Sequence, residues 1–117
     1  MSRDDLPASL GPAAFHILLA LADQASHGYA IMRLVREQSG GRVPLQTGSL
    51  YWHLARLMDQ GLVGEAPVRH QPEDSRRGTH YRLTARGRQV LVRELRHLEN
   101  LLASHRGLTL ASRKDQV

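Results

Sequence analysis

The spacing of apolar residues in this chain changes at Gly61. Before Gly61, apolar residues recur every three or four positions in three short segments, which is typical of amphipathic helices. After it, the residues from Leu62 to His70 and from Thr79 to Leu83 have the pattern of extended strands, the second with clear alternation. Helical spacing returns from Ala85 to about His105. This order of elements predicts a mainly α fold with one small β-hairpin.

Glycine, proline and threonine residues indicate where the helices begin and end. Proline is tolerated in the first turn of a helix, glycine is frequent just after the last turn, and threonine is a good N-cap. These signals place helix one from Pro12 to about Gln24, helix two from Ser26 or His27 to Gly40-Gly41, helix three from its N-cap Thr47 to about Gln60, and the last helix after its N-cap Thr84.

Several classes of protein are excluded by what the sequence lacks. The chain contains no cysteine, so disulfides, thiolate catalysis and cysteine-based zinc sites are ruled out. The seven histidines do not have the spacing of metal ligands, and neither a glycine-rich phosphate loop nor a nucleophile elbow occurs. We therefore expect a protein that is not an enzyme and that binds no cofactor and no metal.

The sequence also indicates where the protein works. Its longest apolar stretch, Ala13 to Ala22, contains His16 and is shorter than the ~20 residues that span a bilayer. The first residues include Asp4 and Asp5 and no apolar segment, unlike a signal peptide. We expect a cytoplasmic protein without a membrane partner.

The third helix is predicted to have one apolar and one polar face. Leu50, Leu54, Leu57 and Met58 fall together on a helical wheel and are the expected core face. An exposed tryptophan on the other side is unusual and indicates a binding partner, although the ring could instead fold back onto the hairpin or pack across a dimer interface. The outward-facing residues are Ser49, Trp52, His53 and Arg56, with Tyr51 at the boundary between the faces.

Positive charge is concentrated just after the first two helices. Residues 47–97 hold nine arginines against five acidic residues, which accounts for +4 of the net charge of +5. The hairpin contributes Arg76 and Arg77 at its tip and Arg69 and His80 on its strands. Charge at such a tip can be merely solvated, but next to a helix-turn-helix pair it predicts a winged helix-turn-helix that binds double-stranded DNA.

The last helix carries an apolar seam. Leu91, Leu95, Leu98 and Leu102 are spaced by four, three and four residues, as in the a and d positions of a heptad. The seam could pack on its own domain, but together with Phe15 of helix one it favours a homodimer. Residues 1–84 are therefore predicted to form the winged helix-turn-helix domain, residues 85–107 the dimerisation helix and residues 108–117 a flexible tail.

Four stretches of the sequence resemble the PadR family of winged-helix transcriptional regulators. They are Leu10-Gly-Pro-Ala-Ala-Phe-His-Ile-Leu-Leu-Ala-Leu, His27-Gly-Tyr-Ala-Ile-Met, the segment from Thr47 to Val63 that begins Thr-Gly-Ser-Leu-Tyr, and Tyr81-Arg-Leu-Thr-Ala-Arg-Gly-Arg. The resemblance implies a dimeric repressor of the short subgroup, with a single C-terminal dimerisation helix and a pseudo-palindromic DNA site.

The resemblance also implies roles for individual residues. Tyr29 is expected at the phosphate backbone, and Thr47, Ser49, Tyr51, Trp52 and Arg56 in the recognition helix. Some members of the subgroup bind flat hydrophobic compounds, which allows a small-molecule effector here, but residues 85–117 contain no aromatic side chain to stack on one except histidine.

Two functions from different classes remain open at this point. One is a dimeric DNA-binding repressor, and the other is a winged-helix module that binds a partner protein through Trp52. Binding to phosphates weakens steeply with salt, whereas an interface anchored by tryptophan is much less sensitive.

Overall fold

The structure is a computed structural model that describes residues 10–67 and 78–108. Its helices are α1 (Pro12–Ala20), α2 (Gly28–Gln38), α3 (Thr47–Asp59) and α4 (Ala85–Ser104), and its strands are β1 (Ser26–His27), β2 (Val63–Ala66) and β3 (His80–Leu83). The three strands form one antiparallel sheet in the order β1-β3-β2. The predicted fold class, mainly α with a small β wing, is confirmed.

The first helix is shorter than predicted. It ends at Ala20 rather than near Gln24, because the last turn tightens: the Leu21 and Ala22 N–H groups donate to carbonyls three residues back. The chain then turns so that Ser26 can pair with Tyr81 across the sheet.

The start of the third helix is also shifted by one residue. Thr47 was predicted as its N-cap, but Thr47 is its first residue and Gln46 takes the cap position. The Gln46 N–H donates to the Ser49 Oγ at 3.1 Å, and that hydroxyl donates back to the Gln46 carbonyl at 3.0 Å. Ser49 therefore fixes the backbone where the chain enters α3.

A two-residue strand joins the first helices to the wing. Ser26 and His27 pair with Tyr81 and His80, and the His27 Nδ1 accepts a hydrogen bond of 3.3 Å from the Ala30 N–H at the start of α2. Two residues are too few to show an alternating pattern, so the sequence did not indicate this strand.

The predicted wing residues Arg69, Arg76 and Arg77 lie outside the described residues.

One apolar core joins all four helices and the sheet. The predicted core face of α3 is confirmed, since Leu50, Leu54 and Leu57 are buried and Met58 packs against them. Leu91, predicted as part of the dimer seam, is only 3% exposed and belongs to this core, so that assignment was wrong. The first turns of α4 pack against the chain's own domain, and its later turns leave the core.

A compact joint connects the end of α3 to the start of α4. As predicted, Thr84 caps α4: its Oγ1 accepts from the Gly87 N–H at 2.9 Å. The same hydroxyl donates to the Gly61 carbonyl at 2.7 Å, and the Thr84 N–H donates to the Leu62 carbonyl at 3.1 Å. Gly87 must be glycine here, because a Cβ would overlap the carbonyl oxygen of Leu62.

Candidate nucleic-acid interface

Three side chains form a cluster on the outer face of α3, which we call the recognition cluster: Trp52, His53 and Arg56. The Arg56 guanidinium carbon lies 4.9 Å from the centroid of the Trp52 ring, a cation–π contact. The His53 ring meets the same indole edge to face, with centroids 4.9 Å apart and planes at 83°. Trp52 is nevertheless 57% exposed, so its ring has packing partners on the protein and a free surface.

The electrostatics of the cluster favour a neutral histidine. Partial burial, and secondly the positive charge of Arg56, lower the pKa of His53 below its ordinary value. At neutral pH the imidazole is therefore uncharged, and Arg56 carries the positive charge of the cluster.

A groove of about 330 Å³ separates the recognition cluster from the first turn of α1. The chain from Leu10 to Ala14 forms the opposite wall. Within the described residues, the indole of Trp52 thus faces the start of α1 and solvent. Trp52 and Arg56 are presented along the rim of a groove rather than on a flat surface.

Tyr51 connects α3 to α2. Its hydroxyl lies against Gly28, where a Cβ would come within 2.7 Å of the Tyr51 Oη. The side chain is still 48% exposed, so Tyr51 both packs at the helix junction and reaches solvent. This position agrees with its predicted place at the boundary between the two faces of the helix.

The start of α2 presents a second aromatic side chain. Tyr29 is 72% exposed and lines a surface cleft of about 440 Å³ together with His27, Ala30 and Arg33. Arg33 brings a positive charge to this cleft. His27 and Arg33 were not among the predicted site residues; the signals for them are the His27-Gly-Tyr motif and the i, i+4 spacing of Tyr29 and Arg33.

The other residues predicted to contact DNA lie outside the recognition cluster. Thr47 and Ser49 are exposed in the first turn of α3, with the Ser49 hydroxyl engaged by the Gln46 backbone. His80 is half-buried on β3, where its ring meets His27 edge to face with centroids 5.5 Å apart. Among the described residues, the buried Nδ1 of His80 has no hydrogen-bond partner. His80 is therefore chiefly a residue of the sheet.

The later turns of α4 expose an apolar face. Leu95, Leu98 and Leu102 of the predicted seam are exposed, and Leu101, which the heptad assignment had missed, is exposed beside them. Phe15 is half-buried against the core.

No helix among the described residues has the length and apolarity to cross a membrane. No three histidine or acidic side chains in that part of the chain are grouped to bind a metal ion.

Known proteins resemble this chain in sequence and in structure. A Streptomyces fradiae protein of 37.1 kDa from transposon TN4556, of uncharacterised function, is 41% identical over 85 residues; these cover 73% of this chain but only 22% of that protein. This chain thus spans about a fifth of the length of that relative.

Solved structures share the fold over most of the chain. RosR from H. salinarum is 26% identical with a TM-score of 0.59, covering 98% of both chains. A PadR family transcription regulator from Clostridium difficile is 24% identical with a TM-score of 0.62, covering 80% of this chain and 97% of that one. A transcriptional regulator from Clostridium thermocellum is 22% identical with a TM-score of 0.62, covering 80% and 89%.

The match to a family model agrees with these similarities and with the resemblance seen in the sequence motifs. It extends over residues 17–93, from the middle of α1 to the first half of α4, and so includes α3 and the wing. The chain belongs to the PadR-like family of transcriptional regulators.

Proposed function

We propose that this transcriptional regulator is a dimeric repressor that binds a pseudo-palindromic DNA site in the cytoplasm, without catalytic activity. The observation that carries this proposal is the exposed Trp52–Arg56 pair on the outer face of α3. In helix-turn-helix proteins the second helix of the motif enters the major groove and presents such side chains to base edges. Here that helix is α3.

The backbone at the start of α3 suits contact with DNA. The first N–H groups of a helix have no partner within the helix, and its dipole places partial positive charge there. Thr47, Ser49, Trp52, His53 and Arg56 then extend along α3 toward the bases. Tyr29 and Tyr51 are assigned to the phosphate backbone at the α2–α3 junction, where both are exposed.

The wing is assigned to the flanking DNA. Arg69, Arg76 and Arg77 are proposed to neutralise phosphates or reach the minor groove, and His80 lies at the base of the same hairpin. These contacts carry affinity rather than sequence preference, because phosphates are the same at every base pair.

The dimer is assigned to α4. Leu95, Leu98, Leu101 and Leu102 expose apolar surface along one side of the helix beyond the core, and burying such a surface against a second copy is favourable. Phe15, half-buried on α1, is assigned to the edge of the same interface. A two-fold dimer matches a DNA site with two related half-sites.

A second candidate function is a winged-helix module that binds another protein. The exposed Trp52 favours it, because tryptophan is enriched among the residues that dominate protein interfaces. Such a role does not need the basic charge of the surrounding residues. The salt dependence of binding therefore distinguishes the two functions.

Fluorescence anisotropy tests the two functions against each other. A labelled duplex from upstream of the protein's own gene and a scrambled duplex are titrated at two salt concentrations. A repressor is expected to bind the native duplex about 1000-fold more tightly than the scramble. Its affinity is expected to fall by about 0.9 log units per log unit of salt for each phosphate neutralised. Weak, equal binding to both duplexes with little dependence on salt would contradict the proposal for this site and favour the protein module.

A further inference from the structure

We propose that Trp52 and Arg56 act as one reading unit for a thymine next to a guanine, with the indole against the thymine methyl group and the guanidinium on the guanine. The inference rests on the proposed function and names the base step that this site would recognise. It makes Trp52 a specificity-determining residue rather than a general anchor.

The position of Arg56 over the Trp52 ring leaves its N–H groups available for a ligand. A guanidinium that lies over an aromatic ring uses its face for the cation–π contact, and its N–H groups point outward in the plane. Within the described part of the chain, no protein acceptor takes a hydrogen bond from Arg56. Two parallel N–H donors can therefore meet the O6 and N7 acceptors that guanine presents in the major groove.

Trp52 supplies the apolar half of the unit. The thymine methyl is the apolar group that a base pair presents in the major groove, so an exposed indole there prefers a T·A pair over the others. With 57% of its surface exposed, the ring has enough free area to cover a methyl group while Arg56 and His53 keep their contacts.

The separation of the two groups matches neighbouring base pairs. Side chains at i and i+4 of a helix lie one above the other and lean toward its N-terminus, which brings Arg56 over Trp52. The 4.9 Å between the guanidinium carbon and the ring centroid lies between one base-pair step of about 3.4 Å and two steps, and is nearer to one. We therefore assign the thymine and the guanine to adjacent base pairs.

His53 helps to preorganise Trp52 in the free protein. Its ring contacts the indole edge to face, and Arg56 lies over the same indole. Because these contacts already restrict both side chains, less conformational entropy is lost when they bind. A neutral imidazole holds the indole without adding a second positive charge beside Arg56.

The test begins with a selection from random duplexes using the whole wild-type chain. The selected site is then resynthesised with the thymine next to guanine replaced by deoxyuridine, which removes only the methyl group. Losing one buried methyl is expected to weaken binding about fourfold per half-site. Replacing the guanine by 7-deazaguanine, which lacks the N7 acceptor, is expected to weaken binding about tenfold in the wild type.

Protein variants separate the reading unit from general affinity. Trp52→Ala is expected to bind thymine and deoxyuridine duplexes equally and to lose part of the guanine preference, since nothing holds the guanidinium. Arg56→Lys keeps the charge but loses the planar fork, so guanine discrimination falls while the methyl effect remains. Tyr29→Ala is the matched control, an exposed aromatic outside the cluster, and should weaken all duplexes alike.

Tryptophan fluorescence gives an independent readout, because Trp52 is the only tryptophan in the chain. The selected duplex is expected to protect its emission from acrylamide quenching, and the deoxyuridine duplex to protect it less. Circular dichroism of each variant checks that the fold is kept.

The outcomes are distinguishable. A selected site with no methyl effect in the wild type, or with the same effect in Trp52→Ala, would overturn this inference while leaving the proposed function intact. Failure to select any duplex would overturn the proposed function and the reading unit with it. A methyl effect that disappears only in Trp52→Ala, together with guanine dependence lost in Arg56→Lys, would establish the unit.

Discussion

The joint between α3 and α4 offers the sharpest test of the physical account of this fold. Thr84 makes two hydrogen bonds through one hydroxyl, accepting from the Gly87 N–H and donating to the Gly61 carbonyl. Thr84→Val keeps the volume and the β-branch but removes both bonds, whereas Thr84→Ser keeps both bonds and removes only a methyl group. Comparing the two variants therefore isolates the hydroxyl.

The two hydrogen bonds of the Thr84 hydroxyl determine how much stability Thr84→Val is expected to lose. Removing an N-cap side chain costs about 1 kcal/mol, and losing a second intramolecular hydrogen bond costs about another 1 kcal/mol. Thr84→Val is thus expected to lower the free energy of unfolding by about 2 kcal/mol. For a domain of roughly 100 residues this corresponds to a fall in Tm of about 8 °C. Thr84→Ser should stay within about 0.5 kcal/mol of the wild type.

Urea unfolding followed by far-UV circular dichroism measures this difference. All three proteins are compared at one concentration, because association would make the midpoint depend on concentration. The free energy of unfolding must depend on urea concentration with the same slope in all three proteins, because only then do the midpoints report stability. If Thr84→Val and Thr84→Ser unfolded at the same urea concentration, the hydroxyl would not stabilise the joint and the reasoning would be refuted.

Three further predictions follow from other features. Gly87→Ala is expected to destabilise the fold by about 3 kcal/mol or more, because the added methyl overlaps the Leu62 carbonyl; Gly48→Ala, with nothing within 4 Å, is the control and should unfold no earlier than wild type. Leu98→Lys is expected to yield monomers in sedimentation, while Gln89→Lys adds the same charge on the opposite side of α4 and should not; a dimer persisting in Leu98→Lys would show that another surface associates. The lowered pKa of His53 means that the unfolded chain binds protons more readily below the ordinary histidine pKa of about 6.5, so stability falls as the pH drops through that range. In His53→Gln the urea midpoint should fall less between pH 7 and pH 5 than in the wild type. Identical pH profiles of the two proteins would contradict the lowered pKa of His53.

Helix periodicity was enough to predict the elements that position the site. The spacing of Leu50, Leu54 and Leu57 identified the buried face of α3, and that identification also fixed Trp52 and Arg56 on the outer face. Local chemistry located the cap at Thr84. These features depend on residues that are close in sequence, which is why the sequence reveals them.

Features that depend on distant residues were missed or misplaced. The heptad spacing of Leu91 and Leu95 is the same whether the helix packs on its own domain or on another chain, so spacing cannot show where α4 leaves the core. The strand at Ser26 and His27 exists only because β3 lies beside it.

The Thr84 joint bears on the spacing of the two half-sites that the proposed dimer would bind. The hydrogen bond from Thr84 at the start of α4 to the carbonyl of Gly61 just after α3 links the two helices, so in the proposed dimer we expect each reading helix to move together with its own α4. A helix of 20 residues is about 30 Å long, so tilting one α4 against the other by about 5° shifts the far end by about 2.6 Å, most of a base-pair step. In the proposed dimer, the packing angle at Leu95, Leu98, Leu101 and Leu102 would therefore set the distance between the two reading helices. Substitutions there are expected to change the preferred gap between half-sites while the bases recognised within each half-site stay the same.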